Sequence, residues 1–154
     1  MAEGDKLDAF MKEFGVTSVT RVMTTHKHWD HADGNTYVKQ MFPDAEIVGG
    51  AVDKVKECTK FVQDRESFVV LNDFTVTCHH TPCHTTGHIL FELSSTLDSP
   101  VDFDSHKSTT IGNYQVISGL NRCVFTGDTI FLGGCGKFFE GQPSQMLDAM
   151  DRAL

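Results

Sequence analysis

A chain of 154 residues, 40% hydrophobic and 22% charged, has apolar material for one domain with a core and speaks against two domains or wholesale disorder. The formal charge of −8 and the lack of a Lys/Arg cluster speak against nucleic-acid binding, and no apolar run reaches the ~20 residues of a membrane helix. The opening MAEGDKLDAF has acids where a leader would have Arg and an apolar stretch, so a soluble cytoplasmic protein is expected, with mitochondria as the alternative should the true N-terminus lie upstream.

In chain order, Leu7, Phe10, Met11 and Phe14 recur at helical spacing and Gly15 follows as a left-handed cap, which predicts a helix over 5–14. The β-branched run at 16–25 reads as a buried strand that ends on His26. A helix is expected over 33–42, broken by Pro43 and Asp44, then a short EIVGG strand, then a second helix near 51–58. SFVVL and FTVTCHH flank Asn72-Asp73 and read as two strands with a tight turn; HILFEL is a further strand. Residues 94–121 are rich in Ser, Thr and Asp and read as a surface insertion within one domain over 1–154, with a strand at Tyr114–Ile117. CVFTGD is a strand ending at Asp128, and Pro143 opens a helix with Met146, Leu147, Met150 and Leu154 on one face.

The five cysteines, Cys58, Cys78, Cys83, Cys123 and Cys135, contain no CxxC pair and form no disulfide framework. Histidine carries the stronger signal, since seven of the eight fall in residues 26–31 and 79–88. In THKHWDH, His26 and His28 point the same way if a strand ends there, and Asp30 and His31 follow in the loop. Four ligand-type side chains this close suit two metal ions better than one. Any one of these histidines is more often an ordinary turn residue; the full spacing after an apolar strand is costly unless paired or metallated. In HTPCHTTGH, His84 is the expected ligand, while His79, His80 and His88 are read as structural or solvated and His106 as a surface residue. Asp128 alone could be a cap or turn residue; beside the histidine clusters it suits a position between two cations, because its two oxygens can bridge them.

TTHKHWDHADGN at 24–35, TPCHTTGHI at 81–89 and VFTGDTIFLGGCGKFFEG at 124–141 together resemble the metallo-β-lactamase superfamily and, within it, the glyoxalase II family of hydroxyacylglutathione hydrolases. The resemblance implies an α/β fold, the αββα metallo-β-lactamase sandwich, here incomplete, with the family's N-terminal strands and C-terminal helical domain missing. It implies that His26, His28 and His84 hold one metal while Asp30 and His31 hold the other, with Asp128 bridging. Asp30 and Asp128 would be catalytic, orienting a metal-activated hydroxide for attack on a glutathione thioester. The expected cofactors are two divalent ions, zinc foremost with iron and manganese as alternatives, the second site weakened by one missing His. Lys137 looks like the family's basic contact to glutathione, Cys135 and Gly136 shape that loop, and Phe139 stands where the family often has Tyr. S-D-lactoylglutathione, converted to D-lactate and glutathione in methylglyoxal detoxification, is the implied substrate. An open sheet edge would favour a homo-oligomer. The rival readings are an iron-dependent persulfide dioxygenase of the same fold and a metal-binding fragment with impaired catalysis; a β-lactamase or nuclease reading leaves GCGKFFEG unexplained.

Overall fold

The computed structural model describes residues 2–72, 74–95, 108–111, 114–117 and 122–153. The chain opens with α1 (Ala2–Phe14), which Gly15 ends at φ +65°, a conformation that a side chain would resist. Of the β-branched run at 16–25, only Arg21–Met23 becomes a strand, β1, because its parallel partner begins only at Glu46. Two helices follow, the single turn α2 (Trp29–Ala32) and α3 (Gly34–Met41), and the chain turns at Pro43 and Asp44 into β2 (Glu46–Gly50). Ile47 and Val48 face opposite sides of β2, and both are fully buried, as expected for a central parallel strand covered on each face.

The helix expected over 51–58 does not form. That segment is a series of turns, with Lys54 and Glu57 at φ of 51° and 59°. Its central residue, Asp53, sends its carboxylate inward to donors on distant loops, a competing set of hydrogen bonds that draws the segment away from regular helix. β3 (Lys60–Val62) then pairs parallel to β2 and completes a sheet of order β1-β2-β3.

The second half is antiparallel. β4 (Ser67–Val70) and β5 (Phe74–His80) form the expected hairpin, with Leu71 and Asn72 at positive φ; β6 (Ile89–Ser95) pairs on β5 and β9 (Arg122–Phe125) pairs on β6. In the 94–121 region, β7 (Ser108–Ile111) pairs with β8 (Tyr114–Ile117), the strand expected there. Asp73, Leu154 and most of that region, His106 included, lie outside the described residues.

The two sheets meet face to face. Val48 and Val62 of the first pack with Val76, Cys78, Ile89 and Phe91 of the second, and Met23, Phe68, Val70 and Leu93 close the rim. Helices α1 and α3 cover the outer face of the first sheet through Leu7 and Val38, against Val22 and Ile47. α4 (Pro143–Ala153) seats Met146 and Ala149 beside Cys83. Leu147, expected on that face, is 62% exposed: three and four residues on from Met146 come Ala149 and Met150, whereas Leu147 lies about 100° around the helix.

Candidate metal centre

Three chain segments end at the same rim of the sandwich. β1 runs into the 24–31 loop, β5 passes to β6 through the 81–88 loop, and β9 leads to Asp128. The Ile89 N–H donates to the Thr25 carbonyl at 2.9 Å, which joins the ends of the two sheets where the loops begin. The imidazole of His26 is fully buried, His84 is 3% exposed, and His28 sits between them at the N-cap of α2. His28 Nδ1 lies 3.1 Å from His26 Nε2 and 2.9 Å from His84 Nε2. Asp128 then turns one oxygen to each side, with Oδ2 3.3 Å from His84 Nε2 and Oδ1 3.0 Å from His31 Nε2.

Hydrogen-bond chemistry constrains what those contacts are. His84 Nδ1 lies 2.8 Å from the Lys137 carbonyl oxygen, which can only accept, so Nδ1 carries a proton. In the neutral ring, His84 Nε2 is then a bare lone pair facing a carboxylate oxygen and a second ring nitrogen. A proton could relieve one such contact. Protons on His28 and His31 can satisfy these contacts singly, whereas a divalent cation would satisfy all of the facing lone pairs together, and an outward Nδ1–H donated to a carbonyl is the usual support of a metal-bound imidazole. The distances agree: tetrahedral zinc with arms of about 2.0–2.1 Å to nitrogen sets neighbouring ligand atoms about 3.3 Å apart.

Among the described residues, two groups have ligand atoms all within 4.8 Å of one another, His26 with His28 and His84, and His26 with His31 and Asp128. The first is the expected three-His set. The second brings His31 and Asp128 together, with His26 where Asp30 was expected. Asp30 stays about half exposed, its Oδ2 3.6 Å from His31 Nε2. It lines a cleft of about 510 Å³ with His28, Trp29, His84, Asp128, Phe139 and Glu140.

The residues expected to bind substrate divide. Phe139 lines the cleft, and the Lys137 ammonium lies 5.2 Å from its ring centroid on the exposed rim. Cys135 packs against the cluster of Cys83 and Met146, and Gly136 is buried beneath the site, its N–H donating to the Asp128 carbonyl at 2.8 Å. Trp29 and Glu140, outside that expected set, are cleft residues. Glu140 accepts from Lys27 and from the Thr86 N–H, each at 2.7 Å, and these partners, Lys27 foremost, hold its carboxyl down at about 2.

His79 pairs with Glu92 and His80 with the Thr86 carbonyl, so both are structural as expected. His88 is structural too, yet closer to the site than its loop position suggested. Fully buried, it accepts the Asp128 N–H on Nε2 at 3.1 Å, which leaves Nδ1–H for the hydroxyls of Thr81 and Thr129 at 3.1 and 3.3 Å. Burial, followed by the neighbouring imidazoles, pushes its pKa down to about 3, and the same causes take His26 to about 2. Replacing His88 by Phe puts a larger apolar ring in its place and strands these partners in the interior, so urea unfolding of the metal-free protein is expected to lose about 1–3 kcal/mol or more; an unchanged midpoint would contradict the assignment.

This fold, with its ligand-bearing loops gathered at one rim, is that of the metallo-β-lactamases. BJP-1, a subclass B3 metallo-β-lactamase of Bradyrhizobium japonicum, superposes with a TM-score of 0.62 at 17% identity over 99% of this chain and 59% of its own. ETHE1 from Myxococcus xanthus gives 0.65 at 23% over 99% and 55%. In sequence the chain is similar to hydroxyacylglutathione hydrolases. It is 41% identical over 129 residues to the Arabidopsis thaliana cytoplasmic hydroxyacylglutathione hydrolase, and 34% identical over 145 residues to the Saccharomyces cerevisiae cytoplasmic isozyme. These matches cover 84% and 89% of the chain but 42% and 44% of the relatives, so the chain spans less than half of their length. No family model matches it.

Proposed function

We propose that the chain is the metal-binding part of a hydroxyacylglutathione hydrolase, cleaving S-D-lactoylglutathione with water to D-lactate and glutathione. The observation that carries this reading is the convergence of His26, His28 and His84 on one point, with Asp128 turning its other oxygen to His31. His26, His28 and His84 would hold one divalent ion, and His31 with Asp30 the other, Asp128 lying between; zinc is the proposed metal. A divalent ion there supplies Lewis acidity and lowers the pKa of water to about 7, so that a nucleophile is available at neutral pH.

The chain's own residues do the rest. Asp30, exposed to the cleft, orients the attacking water. Trp29 and Phe139 form apolar walls for the thioester, and Lys137 at the rim offers its charge to a carboxylate of the glutathionyl group. Addition of water to the carbonyl carbon and breakage of the C–S bond release the acid and a thiol. The thiolate is a good leaving group, with a pKa near 8.5, so no strong general acid is needed. The cytoplasm is the proposed compartment, supported by the names of both relatives and by the lack, among the described residues, of a helix long and apolar enough to cross a membrane.

The test is metal analysis of the purified chain, followed by the decay of thioester absorbance with S-D-lactoylglutathione. Bound zinc with turnover is expected, the turnover abolished in Asp30→Asn while the ion at His26, His28 and His84 is retained. Because the chain spans 42% of its Arabidopsis relative, a second reading is a metal-binding fragment; zinc uptake without turnover would establish that instead. One iron per chain with oxygen consumption on glutathione persulfide would overturn both.

A further inference from the structure

A carboxylate that the functional reading leaves unused lies beneath the histidines. Asp53, in the turn between β2 and β3, has a side chain that is 0% exposed. Its Oδ2 accepts the N–H of Lys27, the residue between His26 and His28, at 2.8 Å, and the hydroxyl of Thr85, the residue after His84, also at 2.8 Å. Its Oδ1 accepts the N–H of Gly87 at 3.0 Å, and the Lys27 ammonium lies 3.8 Å away. Every donor belongs to one of the two loops that bring the three histidines together. The backbone is shaped for this contact: a Cβ on Gly87 would meet Asp53 N at 2.3 Å, and one on Gly50 would meet the Gly87 carbonyl oxygen at 2.2 Å. A buried carboxylate is costly unless its lone pairs are filled, and here charge-assisted bonds from both loops fill them.

We propose that Asp53 is a positioning residue that fixes the separation of His84 from the His26 and His28 pair, without touching the ion itself. The inference rests on the functional reading that those three histidines hold a metal. One loop could keep its shape through local bonds alone, whereas the registry between two loops needs a group that binds both, and Asp53 does so with two oxygens. Lys27 extends the clasp, since its ammonium also pairs with Glu140, which accepts the Thr86 N–H.

The test uses cobalt(II) as the probe on the full chain, read by chelator competition and by its visible ligand-field bands. Asp53→Asn keeps the shape, removes the charge and turns an amide N–H toward donors. It is expected to weaken cobalt binding about 10- to 100-fold, the usual loss for an outer partner of a metal ligand, and to alter the bands. Val76→Ala, which truncates a fully buried core residue in the sheet interface, is the control for simple destabilisation and should leave affinity and bands unchanged. If Asp53→Asn fails to fold, Thr85→Val removes a single bond to Oδ2 and should still weaken binding several-fold. Wild-type affinity and bands in Asp53→Asn, or in Thr85→Val where that variant stands in, or equal changes in Val76→Ala, would overturn the inference alone. A wild-type chain that takes up no cobalt would overturn it together with the functional reading.

Discussion

His84→Ala is expected to lower zinc affinity by more than about 100-fold, because the loss of an outer hydrogen-bond partner alone costs about 10- to 100-fold. His84 is the proposed ligand from the 81–88 loop, and it faces both His28 and Asp128. Its removal leaves His26 and His28 on a single loop, with Asp128 Oδ2 facing no ring. The same variant should lose the stabilisation that zinc gives the wild type. At a free concentration a thousand times its Kd, a ligand that binds only the folded state contributes about 4 kcal/mol. Calorimetry with zinc and with excess chelator measures both quantities: the wild-type melting temperature should fall on chelation, and that of His84→Ala should fall by much less, since a site about 100-fold weaker at the same zinc concentration contributes only about 1.4 kcal/mol. A variant that still binds zinc at wild-type affinity would remove His84 from the site.

The sequence was most readable where periodicity and chemistry agreed. EIVGG, the β4–β5 hairpin and the amphipathic α4 depend on local patterning, and each formed. The candidate ligand residues stood out because His, Asp and Gly recur at short fixed spacings around strand ends, and the fold brings His26, His28 and His84 together. Regions where a distant partner decided the outcome were not readable. Residues 51–58 have the composition of a helix, yet Asp53 is drawn to donors 26 to 34 residues away in sequence. β3 exists because the edge of β2 was available, and three residues carry no periodicity. His88 and Asp53 each look like an ordinary loop residue in the sequence. Burial beside the backbone of the ligand loops, which only the fold creates, is what gives each of them a role.

Phe91→Ala should be the most damaging change away from the metal centre. Phe91 is 1% exposed in β6, with β5 on one side and β9 on the other, and its ring fills the space between the sheets beside Val48, Val62 and Val76. Truncating a buried Phe costs about 3–5 kcal/mol, a large part of the about 5–15 kcal/mol that keeps a domain folded. A cleft of about 270 Å³, open to solvent, borders Phe91 next to Met23, Phe125 and His31, so the truncated site opens toward that cleft. Urea unfolding of the metal-free protein should show a loss within that range of about 3–5 kcal/mol; a change below about 1 kcal/mol would mean that the sheets collapse onto the gap. Zinc should still add its full increment to Phe91→Ala, because none of the contacts among the candidate ligands passes through that ring, whereas His84→Ala should gain far less from zinc than the wild type. Opposite responses to the metal would separate what folds this sandwich from what its rim binds.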